Sequence, residues 1–246
     1  MLKLENVCKS YPKKKKPSVD GLSFEVKRGE VFALVGPKSA GLTTVVKIVA
    51  GITAPDSGIV TVNGKNNADW PVNCRRYMGY VPEMPRVYRW MNSSAWMDFI
   101  SNVYGLTREE KKNGYAKYKS VFRVDEIHGK FFDCSADEIQ RVMLASALIS
   151  EPRLLVMDEP FVTLEKEMRD VLVSVCRERA EGGDSVFFTA NTLAEAGLCA
   201  DRIGLMCGGR LISVGTEEQL RARWSKAFEG TEMECVMAAP LWAEDR

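Results

Sequence analysis

Val31-Phe32-Ala33-Leu34-Val35 runs directly into Gly36-Pro37-Lys38-Ser39-Ala40-Gly41-Leu42-Thr43-Thr44. Five apolar residues closed by a glycine read as a buried strand, and the stretch from Thr43 to Ala50 reads as a helix. Strand, glycine turn and helix together frame the phosphate loop G-x-x-x-x-G-K-[ST]. Every fixed position of that pattern is met except one, because Leu42 stands where the lysine belongs. The chemistry of such a loop is separable. Glycines let successive backbone N–H groups curl around phosphate oxygens, the helix N-terminus adds partial positive charge, and the Thr43 hydroxyl is placed to ligate Mg²⁺. The absent ammonium would face the β and γ phosphates, where a contact at about 4 Å is worth roughly 4 kcal/mol at an effective dielectric of about 20. That corresponds to about three decades of rate. Lys38, four residues earlier on a flexible stem, is one candidate replacement. Lys47, five positions past Leu42, falls on a different helix face from it and is the poorer one.

Working outward, Leu154-Leu155-Val156-Met157 is a second buried-strand run, and it ends in Asp158-Glu159-Pro160. A carboxylate at a strand end suits the Mg²⁺ shell, and Glu159 beside it is placed to polarise an attacking water. Loop and acidic tip together describe a site for nucleoside triphosphate chemistry. Strands Leu2 to Val7 and Leu22 to Val26, the Gly58 to Val62 run with its Asn63-Gly64 turn, and Met78 to Val81 make a β-rich first zone. From Met91 to Ser150 the spacing turns helical. After Met157, a helix (Leu164 to Ala180), a strand (Ser185 to Thr189), a helix (Leu193 to Leu198) and a strand (Ile203 to Met206) alternate, which predicts a parallel sheet.

Composition narrows the partners. Lys and Arg number 34 against 33 Asp and Glu, so the net charge of +1 lacks the basic footprint of a nucleic-acid binder, and no nucleic-acid partner is expected. With 46% hydrophobic and 27% charged residues the 246-residue chain is an ordinary folded globule. Its longest apolar runs are too short to span a bilayer, and the N-terminus lacks the apolar core of a signal peptide, so a cytoplasmic location is expected. Seven scattered cysteines without a C-x-x-C pair predict reduced thiols.

At this point the sequence resembles the ATP-binding cassette family, the nucleotide-binding subunits of ABC transporters, over roughly Leu2 to Leu220. The resemblance implies an α/β fold with a P-loop NTPase core, a mixed sheet flanked by helices, plus an antiparallel β lobe and an inserted α-helical subdomain. It sets residues 1–223 as the ATP-binding domain, with the helical subdomain at about 91–150, and 224–246 as a C-terminal tail. It also assigns roles. Tyr11 sits where the family stacks an aromatic on adenine, so that Tyr11, the loop Gly36, Pro37, Lys38, Ser39, Ala40, Gly41, Leu42, Thr43 and Thr44, and Asn191 would contact ATP. Glu83 replaces the family's glutamine and would join Thr43 and Asp158 around the metal, while Asn191 replaces the γ-phosphate-sensing histidine. Ser135, Ala136, Asp137 and Gln140 align with the signature segment, which in this family closes on the ATP of an opposite cassette, but its glycines are lost. An Asp137 carboxylate about 6 Å from one phosphate charge would cost roughly 3 kcal/mol at that dielectric.

The implied cofactors are ATP and Mg²⁺, and the implied partners are a separate transmembrane permease and a second cassette, identical or different, on the cytoplasmic face of the membrane. Three functions compete: a working motor subunit using Glu159, a cassette that closes on nucleotide but turns over little, and a scaffold that kept only the fold. The expectation adopted is an exporter-like ATP-binding transporter subunit with impaired hydrolysis. The alternative is a silent cassette that regulates or scaffolds an intact one.

Overall fold

The computed structural model describes residues 1–12 and 15–225. In chain order the elements are β1 (Leu2–Lys9), β2 (Val19–Val26), β3 (Val31–Val35), α1 (Leu42–Val49), β4 (Ser57–Val62), β5 (Lys65–Asn66), α2 (Pro71–Arg76) and β6 (Met78–Val81). They continue with α3 (Ser93–Val103), α4 (Arg108–Val121), α5 (Ala136–Leu148), β7 (Leu154–Met157), α6 (Lys166–Glu181) and β8 (Ser185–Ala190). The chain closes with α7 (Leu193–Gly197), β9 (Arg202–Cys207), β10 (Arg210–Gly215) and α8 (Glu217–Ser225).

Two sheets result. An antiparallel sheet has the order β2-β1-β4-β5, and a six-stranded sheet has the order β10-β9-β3-β8-β7-β6. The six-stranded sheet is parallel except for β10, which runs antiparallel to β9. Its central strands are apolar along their whole length because both faces are covered. Val31, Ala33 and Val35 point into one core with Leu155, Met157, Val186 and Phe188, under the helices. Phe32 and Leu34 point into a second core with Val156, Phe187, α1 and the antiparallel sheet. Phe24 stacks on Phe32 at 5.2 Å across the seam between the sheets. At the β4–β5 turn Asn63 and Gly64 both have positive φ, 48° and 77°, as a type I′ hairpin requires.

Three elements lie beyond the sequence expectation. α2 is only six residues long and opens on Pro71, too short to show a helical period. β10 follows the Gly208-Gly209 turn, a hairpin signal in its own right. α8 carries the buried Leu220 on an otherwise polar surface, and its start is marked by reciprocal Thr216 and Gln219 hydrogen bonds rather than by periodicity. It runs through the expected domain boundary at residue 223. The rest of the tail expected at 224–246 lies outside the described residues. Cys74, Cys176 and Cys199 are buried free thiols. Cys8 and Cys134 are half-buried free thiols.

The acidic strand is anchored from behind by a buried guanidinium. Arg179 of α6 is 6% exposed and donates to Asp184 at 2.8 Å, to Glu151 and to the Tyr118 hydroxyl at 3.2 Å each, and to the Pro152 carbonyl. Tyr118 in turn donates to Glu151 at 2.8 Å. These bonds join α4, α6, the lead into β7 and the lead into β8. Replacing Arg179 by Met strands two carboxylates around an apolar group, and we expect it to cost about 3 kcal/mol in urea denaturation. Tyr118→Phe, which removes one hydroxyl, should cost about 1 kcal/mol.

Candidate functional site

The parallel register brings three strand ends together. Val35 pairs with Ala190, and Phe188 pairs with Met157, so Gly36, Asn191 and Asp158 leave the sheet at the same edge. The Gly36 N–H extends the ladder by donating to the Ala190 carbonyl at 3.3 Å. The loop is closed by the Ala40 N–H on the Pro37 carbonyl at 2.7 Å, and Gly41 caps α1 at φ 102°. A Cβ on Gly41 would sit 2.0 Å from the Ser18 carbonyl oxygen, and one on Gly36 would sit 2.3 Å from that of Met206. Both glycines are therefore demanded by close backbone approach.

Within the loop, Lys38 and Ser39 are exposed and Pro37 is half-buried, while Ala40 and Thr44 are buried. Leu42 is 4% exposed and packs into the second core with Val45 and Val46, which gives the loop an apolar wall where an ammonium would stand. Tyr11 lies two residues past Lys9, whose carbonyl accepts from the Ser18 N–H beside Gly41, and the Lys9 ammonium stands 5.8 Å from the Tyr11 ring.

At the acidic tip one hydroxyl does two jobs. Thr189 Oγ1, fully buried on β8, donates to Asp158 Oδ1 at 2.6 Å and accepts from the Glu159 N–H at 3.0 Å. Sequence reasoning passed over Thr189. Its signal was a lone hydroxyl in the apolar Val186-Phe187-Phe188-Thr189-Ala190 strand. Glu159 is held at φ 47°, a left-handed conformation uncommon for a non-glycine residue, and is 8% exposed. The Asn191 side-chain amide donates to Glu159 Oε2.

Burial, then the nearby charges of Glu83 and Asp158, lift the Glu159 carboxyl from 4.5 to about 7, against the pull of Asn191 and Lys38. Burial also raises Asp158, opposed by hydrogen bonds from the Thr189 and Thr43 hydroxyls and by the charge of Lys47. Thr43, Asp158, Glu83 and Lys47 line one cavity of about 670 Å³ with Tyr80 and Tyr104. The oxygen donors of Thr43, Asp158 and Glu83 are the hard ligands that Mg²⁺ takes. Lys47 thus shares the site, contrary to the expectation drawn from Leu42, because it is Thr43 that lies one turn before it on the same face.

Ser135, Ala136, Asp137 and Gln140, expected to align with the signature segment, lie at the start of α5. Ser135 is the N-cap: its hydroxyl accepts from the Glu138 N–H at 3.1 Å while Glu138 Oε2 accepts from the Ser135 N–H at 2.7 Å. Asp137 turns inward, accepting from the Glu165 N–H at 3.0 Å and pairing with Arg141 at 2.9 Å. Its charge is compensated within its own chain. Ala136 is exposed, and Gln140 is buried and donates to the Pro160 carbonyl at 3.4 Å.

A phosphate loop facing an acidic strand tip across a parallel sheet defines a P-loop NTPase. The chain belongs to the ABC transporter family, whose model matches residues 19–162, and within it to the ATP-binding subunits. The linearmycin resistance ATP-binding protein LnrL of Bacillus subtilis is 32% identical over 224 residues, spanning 91% of this chain and 71% of that one. The molybdate/tungstate import ATP-binding protein WtpC of Pyrococcus abyssi is 31% identical over 222 residues, 89% of this chain and 63% of the relative. A solved ATP-binding subunit of an ABC transporter superposes with a TM-score of 0.84 at 26% identity, over 96% of this chain and 98% of that one.

A carboxyl raised in the fold favours its neutral form. Its contribution to stability is complete below the ordinary value of 4.5 and is lost as pH climbs through about 7. Glu159→Gln should therefore melt with wild type at pH 5 and several degrees above it at pH 8, in thermal scans without nucleotide or metal.

Proposed function

We propose that this chain binds Mg-ATP between its phosphate loop and the Asp158-Glu159 tip, and drives a separate membrane-spanning permease in an exporter-like transporter, with slow hydrolysis. The observation that carries the reading is the convergence of Thr43, Asp158 and Glu83 on one cavity beside the glycine loop. Backbone N–H groups of Ser39, Gly41, Leu42 and Thr43 would take the phosphate oxygens at the α1 N-terminus. Thr43, Asp158 and Glu83 would hold Mg²⁺, which when bound neutralises phosphate charge and fixes the oxygens for in-line attack. Glu159, near half-ionised at neutral pH, would take the proton of the attacking water while Asn191 holds its other oxygen. Tyr11, carried beside the loop by β1, would cover the base.

Membrane attachment would come through the partner. Among the described residues no helix is long and apolar enough to cross a membrane. The segment after β6 and the start of α3 instead present Tyr88, Trp90 and Phe99 in a ring cluster with exposures of 48%, 68% and 41%. An apolar patch of this kind, in the segment that follows Glu83 along the chain, suits a protein partner's surface. The linearmycin resistance of LnrL supports the exporter-like direction.

A second reading, a silent cassette paired with an intact different one, is favoured by Leu42 and by the self-satisfied start of α5. With the Ser135 and Glu138 N–H groups bonded to each other's side chains, two fewer donors are left there for a partner's phosphate.

Three measurements divide these readings. Titration with a fluorescent ATP analogue and Mg²⁺ should saturate below millimolar nucleotide, and phosphate release should be slow, fall further in Glu159→Gln and rise at least about tenfold in Leu42→Lys. Release unaffected by Glu159→Gln would remove that residue's role. In a Glu159→Gln background, Asp137→Gly should change ATP-dependent self-association by less than about threefold, read by light scattering, because that carboxylate is already paired with Arg141 and the Glu165 N–H. Association tightened by about tenfold would show that the Asp137 carboxylate still repels a partner's phosphate.

A further inference from the structure

The loop lacks its ammonium, yet three cations flank the site, Arg86 from the segment after β6 and the two lysines Lys38 and Lys47, and the lysines act on different carboxylates. Lys38 is exposed on the loop, and its charge acts on Glu159. Lys47 is half-buried on α1, lines the cavity that holds Thr43, Glu83 and Asp158, and acts on Asp158. The geometry of α1 explains why. Thr43 and Lys47 are four residues apart and so share a face, and helical side chains lean toward the N-terminus, over the preceding turn. Four residues rise about 6 Å along the axis, a distance that the four-carbon stem of a lysine spans. The Lys47 stem therefore runs back along the helix toward the turn where the phosphate loop ends.

The other groups facing this space are Glu83 and Arg86 from the segment after β6, the Tyr80 ring, and Asp158 from β7. Leu42, by contrast, is packed into the apolar core and cannot turn a polar end outward, having none.

We propose that Lys47 supplies the ammonium that Leu42 lacks, as the cation that holds the terminal phosphate charge at the Thr43–Asp158 end of the cleft. This rests on the nucleotide-binding reading above and adds to it which residue carries the charge. It gives the phosphates one cation on the metal side and leaves Lys38 beside Glu159. The phosphate charge would thus be held from α1 one turn further along than the usual loop position, which keeps binding while misplacing the charge for transfer. Slow turnover with retained affinity follows from that displacement.

The test is equilibrium binding rather than turnover. Wild type, Lys47→Met, Lys47→Arg, Lys38→Met and the double variant Leu42→Lys/Lys47→Met are titrated with a fluorescent ATP analogue and Mg²⁺ at two salt concentrations. Their folding is checked by thermal denaturation. Lys47→Met should weaken binding at least about tenfold and flatten its salt dependence. Lys47→Arg and the double variant should stay within about threefold of wild type, the second because the ammonium has been returned to the usual place. Lys38→Met, which removes the loop's own lysine, should weaken binding less than Lys47→Met does.

Binding by Lys47→Met equal to wild type overturns the proposal and leaves the nucleotide-binding reading intact, as does a loss carried by Lys38→Met instead. If Lys47→Met lowers the melting temperature, the Lys47→Arg and double-variant titrations decide. Affinity that stays weak in both, with their folding intact, overturns the proposal. Wild type that fails to saturate at millimolar nucleotide overturns the nucleotide-binding reading itself.

Discussion

The Thr189 hydroxyl is the constraint on which the site depends. It is buried between β7 and β3, and it gives its proton to Asp158 while its lone pair receives the Glu159 N–H. Both bonds sit where water cannot replace them, so losing either leaves a buried polar group unpaired. The bond to the Glu159 N–H also helps to hold that residue at its left-handed φ, with Asn191 meeting the side chain from the next strand end. Strand order makes this possible. Because β8 lies between β3 and β7, a residue on β8 reaches the acidic tip while the phosphate loop leaves from the strand on its other side.

Around this fixed point the charges are arranged so that carboxylates outnumber what solvent can screen. Burial pushes both Asp158 and Glu159 toward their neutral forms, and the charges of Glu83 and Asp158 add to the push on Glu159. A site built this way is incomplete alone and favours the arrival of positive charge, from a metal ion or from the lysines that flank it. Leu42 removes one such charge from the loop. Its burial shows that the position has become part of the core, since an apolar side chain at the first turn of α1 gains more from packing than from facing the cleft.

The start of α5 follows the same physics to a different end. Ser135 and Glu138 satisfy each other, and Asp137 spends its oxygens on Arg141 and the Glu165 amide. Carboxylates at a helix N-terminus are favourable there, so the segment is well capped. A glycine turn would have left those amides open to an outside anion, and this one is closed by its own side chains.

The sequence by itself determined the strand–loop–helix from Val31 to Val49, the acidic strand at β7, the Asn63-Gly64 hairpin and the alternation that makes the sheet parallel, because each is written in local spacing and in the backbone freedom of glycine. Leu42 and Glu159 were likewise legible, as a departure from a motif and as its companion. Only the tertiary structure decided that Thr189 bridges Asp158 and Glu159, that Lys47 belongs to the metal side of the cleft and that Asp137 faces inward. Those facts depend on strand order and on which helix face meets which strand end, and folding brings together residues 28 positions apart, as Asp137 and Glu165, or 111 apart, as Lys47 and Asp158. Local pattern specifies elements; the contacts that set charge and proton positions belong to the way they pack.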